Sequence, residues 1–296
     1  MLRQSLVSDE QLAAQVKLAL DEDIQTGDVT ALLVPEDTEA TADLFSREHA
    51  VLCGQDWVKQ TFARLDPEIK INWQANDGDE LNPDQIVCSF TGSARSILTA
   101  ERTAINFLQT LSATATTTKK YVDAVQNSNT KILDTRKTIP GLRLAQKYAV
   151  SCGGGVNHRT GLFDMILIKE NHIEAAGSIE QALKLAQEKI KNNLNDEPLL
   201  IEIEVETLKE LHAALNSGAK RILLDNMSND TLIEAVKINK QFSEDNETEA
   251  ATLEASGNVS LENINGIAQT GVDFISIGAI TKHINAIDFS LRFRKP

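Results

Sequence analysis

The chain has 296 residues, of which 42% are hydrophobic and 24% charged, with 15 Gly and 6 Pro. These values exclude a disordered, fibrous or low-complexity chain. Its 29 basic against 43 acidic residues give a formal net charge of −14, which excludes a general nucleic-acid binder but leaves room for a small anionic substrate in a local basic pocket.

At roughly 100–200 residues per domain, the length fits one large or two modest domains. The opening MLRQSLVSDE shows neither the apolar run nor the small-residue cleavage site of a secretory signal. No run of about 18 apolar residues predicts a membrane span. Cys53, Cys88 and Cys152 are far apart, odd in number and form no CxxC, so the expectation is reduced bystander thiols in a cytoplasmic protein.

The first hundred residues read as mixed α/β. DEQLAAQVKLAL (9–20) is amphipathic with an acidic start, a helix pattern. TGDVTALLV turns at Gly27. ATADLFSREHAVLCG alternates as strands do, DWVKQTFARLD is helical, and INWQANDGDEL carries a hairpin signal at Asp77-Gly78. QIVCSFTGSA reads as a strand. A long helical pattern then runs from Ser96 to about Gln126. Its Thr-rich middle, TATTT, has weak helix propensity, which predicts a break and a domain boundary there.

Beyond that point short β-rich runs alternate with amphipathic helices. The strands are KILDT (131–135), MILIK (165–169), LLIEIEVE (199–206), RILLD (221–225), TLEAS (252–256) and DFISIG (273–278). The helical patterns are IPGLRLAQKYAV, IEQALKLAQEKIKNN, LKELHAALNSG, DTLIEAVKINK and LENINGIAQTG. Strict alternation implies parallel strands with crossover helices, in a barrel or an open sheet. Each strand runs into polar residues: Arg136 and Lys137, Lys169, Glu204 and Glu206, Asp225, Ser256-Gly257-Asn258, and Gly278. Active sites of parallel α/β barrels are built at such ends.

Period-2 alternation puts Glu202, Glu204 and Glu206 on one strand face. Inside a barrel these acids would need Lys, Arg or a metal as partners, whereas an edge strand would leave them solvated. Between Asp134 and His172 six basic residues (Arg136, Lys137, Arg143, Lys147, Arg159, Lys169) face three acidic ones, with His158 and His172 besides. A stretch of +3 in an acidic chain suggests a polyanionic substrate, although any one of these residues could be an ordinary surface charge. SCGGGVNHR offers close backbone approach to a ligand or a plain flexible turn. LEASGN and SIGAI look like phosphate cradles. Glu204 and Asp225 could hold Mg²⁺ against a diphosphate, and Lys169 could alternatively be a Schiff-base lysine.

The joint, ordered occurrence of TGDVT, ERTAINFLQTLS, DTRKTIPGLRLAQKYAVSCGGGVNHRTGLFD, LIKENHI, IEIEVET, LLDNM, LEASGN and ISIGAIT resembles the quinolinate phosphoribosyltransferases over nearly the whole length. The resemblance implies an N-terminal α/β sandwich (1–113) and an open, incomplete parallel α/β barrel (114–282), with the end (283–296) packing back on the first domain. It implies a homodimer or larger assembly in which quinolinate and phosphoribosyl pyrophosphate give nicotinate mononucleotide, CO₂ and pyrophosphate, with Mg²⁺. Arg102 would reach quinolinate from a neighbouring subunit. Arg136, His158, Arg159 and Lys169 would line the quinolinate pocket, and Lys137 and Lys169 the diphosphate side. Glu204 and Asp225 would sit at the ribose and Mg²⁺, and Ser256, Gly257, Asn258, Gly278, Ala279 and Ile280 at the 5′-phosphate.

No covalent enzyme nucleophile is then needed, which disfavours the Schiff-base role of Lys169. Two departures stand out: KQFSEDNETEAAT (240–252) reads as an acidic surface insertion, and Asn258 replaces a common Gly. The competing readings are a paralogue of the same fold acting on another aromatic or molybdenum-linked substrate, a non-catalytic nucleotide-binding protein, and a phosphosugar isomerase or aldolase on a similar barrel.

Overall fold

The structure, a computed structural model, describes residues 6–191 and 199–295. The first five residues, the last two of the helical pattern 179–193, and Pro296 of the C-terminal segment lie outside the described residues. The chain divides into two compact units. One comprises Met1–Lys119, Lys137–Gly154 and Ala279–Pro296, the other Lys120–Arg136 and Gly155–Gly278.

In the first unit, strands β1 (Glu39–Ser46), β3 (Lys70–Trp73), β5 (Ile86–Ser93) and β12 (Phe289–Phe293) form an antiparallel sheet in the order β12-β1-β5-β3. The helix Gln55–Leu65 sends Val58 and Phe62 into its core, where Phe62 stacks on Phe90 with centroids 4.3 Å apart. Burying such side chains contributes about 1.5–3 kcal/mol each. A second apolar cluster joins the helix Asp9–Ile24 to Trp57, Leu111 and the helix Arg143–Cys152. The helix Asp9–Ile24 begins at Ser8, whose hydroxyl accepts the Gln11 N–H while the Gln11 side chain accepts the Ser8 N–H, a reciprocal cap that satisfies two otherwise unpaired donors.

Two expectations fail here, each for a readable reason. Asp77-Gly78 closes no hairpin: β3 pairs with β5, and β4 (Glu80–Leu81) pairs with β2 (Ala50–Val51). Asp77 instead accepts the N–H groups of Gly54 and Gln55 at the start of the helix Gln55–Leu65, and the Tyr148 hydroxyl at 2.9 Å. The Thr-rich stretch breaks nothing, and one helix runs from Ala94 to Ala124. Its hydroxyls are used: Ser112 and Thr116 accept the buried N–H groups of Cys53 and Val51, which offsets the few tenths of a kcal/mol that each β-branched residue costs a helix. In the glycine run, which forms a turn, Gly153 packs closely against protein. A Cβ on Gly153 would lie 2.3 Å from the Ala115 carbonyl.

In the second unit six parallel strands, β6 (Lys131–Leu133), β7 (Met165–Ile168), β8 (Leu200–Val205), β9 (Arg221–Asp225), β10 (Thr252–Ser256) and β11 (Phe274–Ser276), lie in the order β6-β11-β10-β9-β8-β7. Among the described residues β6 and β7 do not pair with each other, so the sheet is open. Helices follow as the amphipathic patterns predict, including Ile179–Lys191, Leu208–Asn216 and Ile264–Ala268. The acidic segment 240–252 is helical as far as Asp245, an extension of the helix Asn229–Asp245, and then an exposed turn. Asn239 ties that turn down by pairing with both the N–H and the carbonyl of Ala251. No helix among the described residues is long and apolar enough to cross a membrane.

Candidate functional site

Parallel strands place all their carboxyl ends on one edge of the second unit's sheet. That edge holds Arg136 beyond β6, Lys169 just after β7, Glu204 near the end of β8, Asp225 ending β9, Ser256 ending β10 and Gly278 just after β11. Register sets several of these side by side. Asp225 lies opposite Ser256 on β10, and the Lys169 ammonium pairs with Glu204. Lys169 is fixed from behind, because its N–H donates to His172 Nδ1 at 3.0 Å at the start of the helix Glu170–Ala176. His172 is therefore a cap, and no substrate group is required to explain it.

Arg136 and Arg159 form the cationic part. Burial, and then the like charge of Arg136, pull the Arg159 guanidinium below its ordinary range. Cations set against each other in this way are suited to a dianion. The loop carrying Arg159 is heavily tied. Asp134, fully buried, accepts the His158 N–H and the Asn157 amide, each at 2.8 Å. Asp164 accepts the N–H groups of Thr160 and Gly161. Those backbone bonds outweigh its burial and hold its carboxyl below the usual range.

Below the strand ends lies a buried charge cluster. Arg221 Nε donates to Glu202 Oε1 at 2.8 Å, and its terminal nitrogen to Glu254 Oε2 at 2.9 Å. The guanidinium also lies over the Phe274 ring, 4.9 Å from its centroid. His158 Nε2 is 2.8 Å from Glu202 Oε2 and 3.6 Å from Glu254 Oε2. Burial would raise the Glu202 carboxyl, but His158 and Arg221 overcome it and hold it low. Glu254 goes the other way: burial, then the Glu202 charge, push its carboxyl up to about 7. Alternation called for Lys, Arg or a metal beside Glu202 but did not single out Arg221 or Glu254. For Glu254 the available signal was a lone charge inside its strand, TLEAS. Glu206, placed in the same row by alternation, lies past the end of β8 and is exposed, its N–H donating to Glu210.

At the end of β10 the chain turns through two left-handed residues, Gly257 at φ 105° and Asn258 at 48°, and at the end of β9 the neighbouring Asn226 is left-handed too, at 54°. A Cβ on Gly257 would lie 2.2 Å from Asn226 Oδ1, so this position requires glycine on both conformational and steric grounds. Asn226 was not singled out by the sequence. It braces the turn by donating its N–H to the Ser256 carbonyl and its amide to Asp225. Successive N–H groups in such a turn form an anion-binding concavity.

Four expected residues belong to the first unit: Arg102, Lys137, Ala279 and Ile280. Arg102 and Lys137 are exposed. Ala279 begins the short helix Ala279–Lys282, and the Ile280 side chain is fully buried, which leaves its backbone as the part able to meet a ligand. Two members of the expected cationic cluster also move there. Arg143 and Lys147 lie on the helix Arg143–Cys152, with Lys147 fully buried.

The group His158, Glu202 and Glu254 brings three potential metal-ligand atoms within 4.8 Å, but the Arg221 guanidinium already bridges both carboxylates. Glu204 and Asp225 are a pair of hard oxygen donors. They suit an ion such as Mg²⁺, which takes one or two carboxylates and completes its shell with substrate phosphates and water.

The model of the quinolinate phosphoribosyl transferase C-terminal domain matches residues 114–292, and that of the N-terminal domain residues 28–112. The chain is 42% identical to "Quinolinate phosphoribosyltransferase [decarboxylating] 1b" of Nicotiana tabacum, over 95% of this chain and 82% of that protein. It is also 42% identical to the chloroplastic "Nicotinate-nucleotide pyrophosphorylase [carboxylating]" of Arabidopsis thaliana, with the same coverage. The solved nicotinate-nucleotide pyrophosphorylase of Francisella tularensis superposes with a TM-score of 0.90 at 47% identity, covering 97% of this chain and 98% of that one.

Proposed function

The chain belongs to the quinolinate phosphoribosyltransferase family, and from that membership we propose how its residues carry out the family reaction. The enzyme joins quinolinate to phosphoribosyl pyrophosphate and releases CO₂ and pyrophosphate, forming nicotinate mononucleotide for NAD biosynthesis. The carrying observation is the gathering of Arg136, Lys169, Glu204 and Asp225 at the carboxyl ends of the parallel strands, with Arg159 near enough for the Arg136 charge to act on it.

Arg136 and Arg159 receive the two carboxylates of quinolinate and hold the pyridine nitrogen in line with C1 of the ribose. Such positioning accounts for several kcal/mol of barrier lowering. As pyrophosphate leaves, C1 gains positive charge, and the carboxylates of Glu204 and Asp225 favour that cation. Lys169, paired with Glu204, supplies an ammonium for the anionic groups of the substrates. The turn Ser256-Gly257-Asn258 takes the 5′-phosphate, with backbone from Gly278. Mg²⁺, held by Glu204 and Asp225 with substrate oxygens, would supply charge neutralisation for the leaving pyrophosphate. Once attached, the quaternised pyridine nitrogen stabilises the electron pair left at C2 when its carboxylate departs as CO₂. No enzyme nucleophile takes part.

A homodimer in which Arg102 is given across to the neighbouring subunit completes this reading, supported by the exposure of Arg102 on its helix. A cytoplasmic location is supported by three free thiols. The test is a coupled assay with quinolinate, phosphoribosyl pyrophosphate and Mg²⁺, with nicotinate in parallel. Nicotinate mononucleotide and CO₂ from quinolinate alone, lost in Arg136→Ala, is the expected result. Turnover of nicotinate alone, or of neither acid, would move the assignment to a paralogue with another substrate.

A further inference from the structure

Asp225 ends β9 and the turn Ser256-Gly257-Asn258 follows β10. The proposed function gives them two parts of one ligand, the ribose and its 5′-phosphate. The sugar frame sets the distance between those parts, so two grips serve it fully only when the protein fixes their spacing too. The strand ladder does part of this by setting Asp225 opposite Ser256. Past the ladder the link is carried by Asn226.

Asn226 touches three parts of this edge. Its N–H donates to the Ser256 carbonyl at 2.8 Å. Its side-chain Nδ2 donates to Asp225 Oδ2 at 2.6 Å, which sets the plane of that carboxylate. Its Oδ1 lies against Gly257, where an added Cβ would meet it at 2.2 Å, and it accepts the Asn258 amide at 3.4 Å. The backbone is left-handed, at φ 54°, a conformation that asparagine adopts more readily than most residues. The turn is also braced from its far side. Asn263 donates its amide to the Asn258 carbonyl and accepts the Ser260 N–H, each at 2.9 Å. Those bonds hold the turn to itself, and the Asn226 side chain ties it to the Asp225 carboxylate.

We propose that Asn226 is a positioning residue for the phosphoribosyl substrate: its side-chain amide couples the Asp225 carboxylate to the 5′-phosphate turn, so that the two grip one sugar phosphate as a unit. This deepens the proposed function and rests on it. A residue kept for shape alone would need a backbone N–H and a left-handed φ, and glycine supplies both. The side-chain bond to Asp225 is what asks for asparagine.

Ribose 5-phosphate is the probe, with inorganic phosphate beside it, because binding of both is read by calorimetry on the whole enzyme without turnover. The wild type should bind ribose 5-phosphate more tightly than phosphate. Asn226→Gly keeps the backbone bond and the left-handed turn and removes the amide. It should weaken ribose 5-phosphate about tenfold, the lower end for losing a hydrogen bond to a charged group. Phosphate affinity and urea unfolding should change little. KM for phosphoribosyl pyrophosphate should rise in step, with KM for quinolinate retained. In an Asp225→Ala background the same substitution should have no further effect, because Asn226 acts through that carboxylate.

A tenfold loss that persists in Asp225→Ala would overturn the proposal and make Asn226 a direct ligand. An equal loss for inorganic phosphate would overturn it too, by making Asn226 a wall of the turn. So would unchanged binding in Asn226→Gly, or a wild type that binds ribose 5-phosphate no better than phosphate. The ¹⁵N signal of the Asn226 side-chain amide reads the link with no ligand present. It should move in Asp225→Ala, and an unmoved signal would sink the coupling. A wild type that binds ribose 5-phosphate with this pattern but turns over neither acid would break the assigned reaction and leave the coupling standing.

Discussion

In the antiparallel sheet of the first unit, Asp43 on β1 is answered by Arg294, just beyond the last strand. The guanidinium forks onto both carboxylate oxygens at 2.8 Å, and Ser89 adds a third bond. In the parallel sheet of the second unit, Glu202 and Glu254 share Arg221 and His158. The two arrangements look alike in a contact list and differ in solvent. Arg294 has a side chain 55% exposed, Arg221 one of 19% above two acids that see no water. The first sheet is filled by apolar side chains such as Leu44, Phe62 and Phe90 and keeps its ion pair at the rim. The second places charge inside, where it costs most, directly beneath residues assigned to the substrate.

Removing the arginine from each pair gives the largest expected contrast. Arg221→Met leaves two buried acids without their cation and should destabilise by roughly 3–5 kcal/mol. Arg294→Met leaves Asp43 its Ser89 bond and access to water, and its effect should be small beside the first. Urea unfolding of the two variants measures both. Equal losses would mean that the interior of the second sheet tolerates charge better than its burial implies.

At the strand edge the expected loss is in catalysis. Arg136→Ala should lower kcat/KM for quinolinate by about 10²–10³-fold, the usual cost of one preorganised charge, with unfolding unchanged. A fall in stability of the same size would make Arg136 a structural residue, as Arg294 is. Gly257→Ala comes next. Its Cβ would meet Asn226 Oδ1 at 2.2 Å, at φ 105°, a strain of roughly 1–3 kcal/mol. The expected readout is a raised KM for phosphoribosyl pyrophosphate with KM for quinolinate retained. The same KM change for both substrates would show that the turn supports the whole edge.

These contrasts track what the sequence could reveal. Alternation of strands and helices located all six parallel strands, because a strand buried on both faces leaves an apolar run that needs no partner to be recognised. The polar residues following those runs, from Arg136 to Gly278, located the edge for the same reason. Pairing was not legible. Arg221 meets Glu254 across 33 residues and Glu202 across 19, and nothing local marks either contact. The Asp77-Gly78 turn is a real turn, but its flanking strands pair elsewhere, and the Asp77 carboxylate caps a helix. The threonines of the long helix weaken it locally and are held there by donors from β2 and its flank, a tertiary override of propensity. For His158, the motif carried a residue type into the pocket, and only geometry showed Glu202 beside its Nε2.

The finest test of the comparison is the sign of its pH dependence. Asp43 is held below its ordinary 3.8, first by the Arg294 bond. The folded state therefore binds fewer protons there than the unfolded chain. Its contribution is complete above pH 3.8 and fades as the pH falls through the lowered value. Glu254 is pushed from 4.5 up to about 7. Between those values the folded state keeps a proton the unfolded chain has lost, so stability falls as pH rises, by on the order of 1 kcal/mol per pH unit at most. Stability curves of Glu254→Gln and Asp43→Asn against the wild type should therefore diverge in opposite directions: the first gains on the wild type from pH 4.5 to 7, the second loses its deficit below pH 3.8. A Glu254→Gln curve parallel to the wild type over that interval would mean that Arg221 satisfies both acids, and that the second unit handles its buried charge as the first one does.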